Sequence, residues 1–228
     1  MATAADAKEQ APSKAFSFWG CSEIPESLGV RADNERDLLE RLESVDADSI
    51  YYHTVRSLLR RPVAQRYPND FAFWVAEEVR DVALAERLAL HSPFDFSDTG
   101  AFREHLLQTL DEHLLRLPFA PRTLTGRPFF FLKGHLTEVP LELVVRDLRG
   151  FRGALAQVDE SAVYYHSVEA MGRLKKPRSD FAAWVDEVLG LEELARQIEQ
   201  LDPFVLDLVG VKKAVLALID RHHRGGAS

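Results

Sequence analysis

Hydrophobic residues recur with i, i+4, i+7 spacing in both halves of the chain. This spacing places apolar side chains on one face of an α-helix, so it predicts amphipathic helices that pack that face into a core. We therefore expect a mainly α-helical protein. The clearest stripes are Leu38, Leu42 and Val45 in the first half and Phe151, Leu155 and Val158 in the second.

Residues that favour helix N-caps indicate where several of these helices begin. Asp46 and Asp159 each follow a valine and lie four positions before another apolar residue, which is the pattern of a hydrophobic staple. Asn69 and Ser179 each precede a helix that carries the motif Asp-Phe-Ala-x-Trp-Val. Gly190 predicts a break before a further helix. Each half is therefore predicted to be a multi-helix unit.

The two halves share their motifs in the same order. Tyr-Tyr-His-Thr at 51–54 recurs as Tyr-Tyr-His-Ser at 164–167, and Asp-Phe-Ala-Phe-Trp-Val at 70–75 recurs as Asp-Phe-Ala-Ala-Trp-Val at 180–185. The order is kept, and the spacing between the motifs changes little. The sequence therefore predicts a tandem duplication of a unit of about a hundred residues.

A proline-rich stretch separates the two predicted units. Residues 118–128 contain three prolines and a glycine, which cannot continue a helix, so they predict a linker. The first helical unit is predicted over 15–117, and the second, pseudo-symmetric with the first, over 129–223. The composition of the ends predicts disordered tails over 1–14 and 224–228.

Each predicted unit begins with a short aromatic segment. These segments are Phe-Ser-Phe-Trp-Gly-Cys at 16–21 and Phe-Phe-Phe-Leu-Lys-Gly at 129–134. Aromatic residues favour strands, so each segment is predicted to be a short strand or extended segment. If the units pack about a pseudo-two-fold axis, the segments could pair with each other or cross onto the other unit.

Composition excludes several classes of protein. With 36 acidic and 28 basic residues, the net charge of -8 argues against a nucleic-acid partner. One cysteine, Cys21, excludes an intrachain disulfide framework. No run of about 18 apolar residues predicts a membrane span, and residues 1–14 lack the apolar core of a signal peptide. These features predict a cytoplasmic protein without a membrane partner.

Two matched histidines are the strongest candidates for chemistry. Each lies on the same helix face as an arginine seven residues later and next to a tyrosine. One interpretation is a site for an anion, phosphate or sugar, or a general acid or base. The other is structural: each histidine hydrogen-bonds a buried partner such as Asp70, Asp180 or a backbone carbonyl, and the arginines pair with nearby acids. The candidate ligand-binding residues are His53, His166, Tyr52, Tyr165, Arg60, Arg173, Glu23 and Glu138.

Acidic residues offer two further structural expectations. Glu23 and Glu138 could each face a histidine across the structure, or each could cap a following helix. Within the otherwise matched motifs, position 56 is arginine and position 169 is glutamate. If the halves face each other, Arg56 and Glu169 could form a salt bridge between the units.

The sequence lacks the motifs of well-known catalytic sites. It has no glycine-rich phosphate loop, no G-x-S-x-G elbow and no H-E-x-x-H motif, so no catalytic residue, metal ligand or cofactor is predicted. We expect a non-catalytic helical binding or regulatory module that acts through contacts with a partner protein, which could be a second copy of the chain. The alternative is an enzyme or small-ligand receptor with a His/Tyr/Arg site at the seam between the repeats.

The repeated motifs, together with Glu-Ile-Pro-Glu-Ser-Leu-Gly at 23–29, also carry a resemblance. The chain resembles an uncharacterised bacterial family that is known only as a domain of unknown function. The resemblance covers nearly the whole chain from Phe16 onward. It implies a bacterial, cytoplasmic, helical protein, and it implies no particular reaction or ligand.

Overall fold

The structure is a computed structural model that describes residues 15–60, 66–116, 126–174 and 178–225. These residues form mainly α-helices, as the hydrophobic pattern predicts, and one two-stranded antiparallel sheet. None of the helices in these ranges is long and apolar enough to cross a membrane.

In the first half, a long strand is followed by six helices. The α4 helix continues into a π-helical turn, and a 3₁₀ turn precedes α6. The elements are β1 (Phe16–Ala32), α1 (Glu35–Ser44), α2 (Ala47–Thr54), α3 (Ser57–Arg60), α4 (Asp70–Trp74) with its π turn (Val75–Val79), α5 (Val82–Leu88), the 3₁₀ turn (Pro93–Asp95) and α6 (Thr99–Leu114).

The second half follows a similar order. Here the π-helical turn follows α8, and the backbone of the last helix is interrupted at Asp207, where φ is 56°. The elements are β2 (Phe129–Val145), α7 (Leu148–Gln157), α8 (Glu160–Tyr164) with its π turn (Tyr165–Glu169), α9 (Ala170–Leu174), α10 (Asp180–Glu187), α11 (Glu192–Glu199) and α12 (Pro203–Gly225).

The predicted helix boundaries are confirmed at five positions. Each predicted N-cap side chain accepts a hydrogen bond from a backbone N–H two or three residues later, which satisfies a donor that has no partner within the helix. Gly190 has a φ of 67° between α10 and α11, a conformation that glycine adopts without strain. The four caps are Asp46, Asn69, Asp159 and Ser179.

The two strands form a long ribbon. Each has 17 residues, and the predicted aromatic segments cover only the beginning of each strand. The strands are antiparallel, with Phe16 opposite Val145 and Ala32 opposite Phe129, so the predicted pairing of the two segments is confirmed. The prediction of a short extended segment is wrong, because a two-stranded ribbon tolerates exposed polar residues and proline, which hide the strand pattern in the sequence.

Each strand runs from one hydrophobic core to the other. Phe16 and Phe18, at the start of β1, are buried in the core that the helices of the second half form. Phe129 and Phe131, at the start of β2, are buried in the core of the first half. The predicted crossing of each segment onto the other half is therefore confirmed.

Strand pairing is irregular near each end of the ribbon. At each irregularity, one strand contains more residues than the segment that it faces. One of the residues in that longer segment has a left-handed backbone: Gly29 in β1, with a φ of 68°, and Glu142 in β2, with a φ of 55°. Both residues occupy the same position counted from the start of their strand. A left-handed conformation is costly for any residue with a Cβ, so only the glycine position is free of strain.

The predicted tails and linker lie only partly within the described residues. The tail over 1–14 lies outside them, as does most of the linker over 118–128; residues 126–128 form neither helix nor strand. The α12 helix continues to Gly225, so the first two residues of the tail predicted over 224–228 are helical.

Candidate functional site

His53 on α2 is held on both sides of its ring. Its side chain is buried, with 3% exposure. Its Nδ1 lies 2.9 Å from Oδ2 of Asp70, and its Nε2 accepts a hydrogen bond of 2.9 Å from the backbone N–H of Leu132 on β2. His53 therefore connects a helix of the first half to the strand that enters from the second half.

His166 makes the corresponding contacts in the other core. Its Nδ1 lies 2.8 Å from Oδ2 of Asp180, and its Nε2 accepts a hydrogen bond of 2.9 Å from the backbone N–H of Trp19 on β1. The structural prediction, in which each histidine hydrogen-bonds its aspartate, is therefore confirmed.

This geometry fixes the tautomer of both rings. A ring nitrogen that accepts a hydrogen bond from an N–H carries no proton, so the proton lies on Nδ1 and is donated to the aspartate. Burial lowers the pKa of His53, against the opposing effect of Asp70. Because both nitrogens of each ring already have partners, neither histidine has a free nitrogen for a ligand or for proton transfer.

The two histidines belong to different cores. The His53 ring contacts Phe71 and Phe129, whereas the His166 ring contacts Phe16. The prediction of a single site that both histidines line is therefore wrong, because the crossing strands draw each ring into its own aromatic core.

Arg56 lies between the two halves. Its Nη1 donates a hydrogen bond of 2.6 Å to the backbone oxygen of Gly134 and lies 3.7 Å from Oε1 of Glu23. Its Nη2 lies 3.8 Å from Oε1 of Glu169. The predicted salt bridge between Arg56 and Glu169 is confirmed.

Arg60 completes a cluster of charged side chains with Arg56, Glu23 and Glu169, on its first-half side. It donates hydrogen bonds of 2.6 Å to Oε2 of Glu23 and 2.9 Å to Oδ2 of Asp70, and its guanidinium carbon lies 3.7 Å from the centre of the Tyr52 ring. Burial raises the pKa of Glu23, whose side chain is 5% exposed, while Arg60 opposes the shift. The prediction that the arginine pairs with nearby acids is confirmed for Arg60.

Two tyrosines hold Glu169 on the second-half side. Tyr164 and Tyr51 donate hydrogen bonds of 3.1 Å and 3.4 Å to its Oε2. Burial raises the pKa of both tyrosines, so both remain phenols that donate hydrogen bonds. The repeated motif points to Tyr52 and Tyr165 instead. The signal in the sequence that favours the first tyrosine of each pair is the Arg/Glu difference at positions 56 and 169, five residues after Tyr51 and Tyr164.

The other predicted site residues do not join this cluster in the expected way. Glu138 is exposed on β2 opposite Cys21, and Tyr165 is buried against the His166 ring. Both Glu23 and Glu138 lie inside strands, so the prediction that they cap helices is wrong; Glu23 faces arginines rather than a histidine. Arg173 lies on α9, and its side chain is outside the described part of the chain.

Cys21 is a structural thiol. It is buried, and its Sγ donates a hydrogen bond of 3.4 Å to the backbone oxygen of Ser161. Burial, with a smaller contribution from Glu169, raises the pKa of the thiol to about 12. Within the described ranges, no three His, Cys, Asp or Glu side chains are arranged to hold a metal ion.

Two clefts open beside the cluster. One, of about 330 Å³, has a mixed lining that includes the charged side chains of Glu23 and Arg60. The other, of about 540 Å³, is mainly apolar and contains Tyr51. A continuous series of side-chain contacts, Tyr51 to Glu169 to Arg56 to Glu23, connects the apolar cleft to the cleft that contains Glu23.

Comparison with known proteins gives a family and a similar structure but no activity. A profile of a family of unknown function, DUF5752, matches residues 13–220. The solved structure of OrfY from Thermoproteus tenax is similar, with a TM-score of 0.74 and 27% sequence identity over 92% of this chain and 96% of that chain. No curated protein matches the chain.

Proposed function

We propose that the chain, which belongs to the family of unknown function DUF5752, is a non-catalytic module that binds a partner protein through the outer face of its two-stranded ribbon. The observation that carries this proposal is the pair of exposed apolar side chains, Ile24 and Val139, on that face.

The state of the reactive side chains supports a non-catalytic role. Both nitrogens of His53 and of His166 have hydrogen-bond partners within the protein. Arg60 is bound between two carboxylates, those of Glu23 and Asp70. Groups that are engaged in this way stabilise the fold and leave little capacity to bind or transform a substrate.

The outer face of the ribbon supports protein binding. Residues of a strand alternate between the two faces of a sheet, and a strand of 17 residues is roughly 55 Å long. Two large apolar side chains, Ile24 and Val139, lie on the same face of the ribbon, with exposures of 63% and 40%. Val139 follows His135, the partner of Ile24, by four residues, so the two side chains are close along the ribbon. Apolar side chains that are exposed together on a surface are typical of protein interaction sites. Two further exposed apolar side chains, Phe130 and Val144, lie near the ends of the ribbon on its opposite face.

A charge substitution on the ribbon tests the proposal. The variant Ile24→Lys/Val139→Lys places two charges on the outer face, and the control Leu90→Lys/Leu115→Lys changes two exposed leucines elsewhere. The measurements are light scattering after size exclusion and affinity capture from an extract of the source organism, with quantitative mass spectrometry.

The proposal predicts that the ribbon variant loses an interaction that the control keeps. If the partner is a second copy of the chain, self-association is lost; if the partner is a different protein, the variant no longer captures that protein. If the wild type and the ribbon variant have the same mass in solution and retain the same proteins, the proposal is wrong.

We also propose that the chain arose by tandem duplication. The equal lengths of β1 and β2 support this, as do the matching His–Asp–strand contacts and the matching positions of Gly29 and Glu142. A chain of residues 126–225 should then form a symmetric dimer in which two copies of β2 exchange their aromatic ends. A folded monomer at the same concentration would contradict the duplication.

The bacterial source and the cytoplasmic location stay predictions. A single buried thiol at Cys21 is compatible with a reducing compartment. Cell fractionation with an antibody against the untagged protein would test the location.

A further inference from the structure

The apolar cleft lies where the two halves meet. One wall is formed by α2, another by the segment that leads into α6, and the third by α9 from the second half. The buried side chains of Val55 and Phe102 form its floor, and Phe94 and Phe96 are half-buried at its sides. Its volume of about 540 Å³ is within the range of small-molecule sites.

Aromatic rings and one carboxylate dominate the chemistry of this cleft. Phe94 and Phe96 contribute half-buried rings, and Tyr51 contributes a ring whose centre lies 5.3 Å from the guanidinium carbon of Arg56. The faces of aromatic rings carry negative electrostatic potential. Asp98 is the one charged residue among the described residues that line the cleft. Its Oδ1 caps α6, and its Oδ2 accepts a hydrogen bond of 3.3 Å from the Ser97 hydroxyl.

From this combination we infer that the cleft binds a small organic cation with an apolar body, such as a quaternary ammonium that carries an aromatic ring. Aromatic faces attract a cation that has lost part of its hydration, and the Asp98 carboxylate favours the same charge. The described lining residues include no basic side chain to pair with an anion. The N-terminus of α6, which also attracts negative charge, is already capped by the Asp98 carboxylate. This site is separate from the outer face of the ribbon.

Three probes of similar shape test the charge preference. Benzyltrimethylammonium is the cation, 2-methyl-1-phenyl-2-propanol is a water-soluble uncharged analogue, and benzylsulfonate is the anion. Binding to the full chain is measured by NMR titration, with the Met171 methyl group as the reporter because it lines the cleft. We expect the cation to bind about tenfold more tightly than the anion, with the uncharged probe between them.

Two glycine variants test the location. A Cβ added at Gly172 on α9 lies 3.4 Å from the Tyr51 hydroxyl, so Gly172→Phe places a ring in the cleft. A Cβ at Gly153 on α7 has no heavy atom within 4 Å, so Gly153→Phe is a matched control on a different helix. We expect Gly172→Phe to weaken cation binding at least about tenfold and Gly153→Phe to leave it within about twofold of wild type.

Asp98→Asn tests the carboxylate and does not depend on filling the cleft. Asparagine caps helices as well as aspartate does, so the fold is retained while the charge is lost. We expect the cation to bind this variant about threefold to tenfold more weakly and the uncharged probe to bind as before.

Several results would overturn the inference. These are no binding of any probe at about 10 mM, equal binding of cation and anion, or cation binding that Asp98→Asn leaves unchanged. Cation binding that Gly172→Phe leaves unchanged, while its melting curve matches wild type, would place the ligand elsewhere.

Discussion

His53 accepts a hydrogen bond from the backbone N–H of Leu132, a residue 79 positions away on the strand that enters from the other half of the chain. The bond joins a first-half helix to β2 inside an aromatic core. Trp19 and His166 form the reciprocal contact between β1 and the second half. Through these two bonds, each half stabilises a strand of the other.

Removal of either histidine should destabilise the whole chain. His53→Ala leaves the Leu132 N–H and the Asp70 carboxylate without their partner, which costs about 2 kcal/mol in the free energy of unfolding. His166→Ala should cost a similar amount. The measurement is urea denaturation at pH 7.5.

His135→Ala is the matched control for both histidine variants. The His135 side chain is exposed and pairs only at the surface with Glu26, so its loss should cost less than about 0.5 kcal/mol. The structural role is contradicted if the buried and exposed variants lose the same stability.

The ion pair between Arg56 and Glu169 should couple the halves energetically. Both side chains are largely buried, so removal of Arg56 leaves the Glu169 carboxylate without its opposite charge, whereas Arg56 keeps Glu23 as a partner when Glu169 is removed. A double-mutant cycle with Arg56→Ala and Glu169→Ala should give a coupling energy of about 1 to 3 kcal/mol.

The exposed pair of Arg66 and Glu86 provides a reference for this cycle. Its side chains are mostly in solvent, and its coupling energy should stay below about 0.5 kcal/mol. Equal coupling in the two cycles would show that the seam pair has no special role.

Glu35 should make the stability depend on pH. Its carboxyl group is fully buried, and neither oxygen makes a well-formed hydrogen bond. Burial raises its pKa from 4.5 to about 7, against the opposing effect of its own backbone N–H and with a smaller contribution from Asp81. The folded chain therefore binds this proton more tightly than the unfolded chain. The contribution of Glu35 is greatest below pH 4.5 and falls as the pH rises to 7, by about 2 to 3 kcal/mol.

The variant Glu35→Gln cannot ionise at this position, so it should lose this dependence of the free energy of unfolding on pH. Urea denaturation at pH 5 and pH 8 should show that the variant gains stability relative to wild type as the pH rises. Glu40→Gln, on the exposed face of the same helix, is the control, and its free energy of unfolding should change with pH as that of wild type does. Parallel behaviour of both variants would mean that Glu35 is not protonated in the fold.

Replacement of Glu142 by glycine should stabilise the fold. Its φ of 55° strains a residue with a Cβ, whereas Gly29 adopts a φ of 68° freely at the corresponding position of β1. We expect Glu142→Gly to raise the free energy of unfolding by about 0.5 kcal/mol and Gly29→Ala to lower it by about 1 kcal/mol.

Glu138→Gly is the control for Glu142→Gly. It removes an exposed glutamate from the same strand where the backbone is not left-handed, and it should lower stability by about 0.5 to 1 kcal/mol. The explanation from backbone strain is wrong if the two glycine variants change stability in the same direction.

Local signals were sufficient to predict much of the helical structure. Asp46 and Asn69 are caps because a side-chain oxygen satisfies nearby N–H groups, an interaction that depends on adjacent residues alone. The pairing of Arg56 with Glu169 could be predicted because the opposite charges occupy corresponding positions of two matched motifs.

The full length of the ribbon and the position of Glu23 beside two arginines could not be predicted, because they depend on contacts between residues far apart in the sequence. Pro25 and Gly29 interrupt the strand pattern of β1, although both fit a two-stranded ribbon. Glu23 resembles Glu138 in its local sequence, but the register places it opposite Leu136 and beside two arginines. The surroundings of a side chain in a ribbon depend on the strand register, because a shift of one residue moves every side chain to the opposite face.

The most direct test of the structural role of the histidines is their tautomeric state in the intact chain. Long-range ¹H–¹⁵N NMR from pH 8 to pH 5.5 reports the proton on each ring nitrogen, and amide exchange reports the N–H groups of Leu132 and Trp19. We predict the Nδ1–H tautomer in both His53 and His166, no protonation of His53 near its ordinary pKa of about 6.5, and slow exchange of both amides. An Nε2–H tautomer, or a His53 ring that titrates near pH 6.5 while the Leu132 amide exchanges rapidly, would contradict the account.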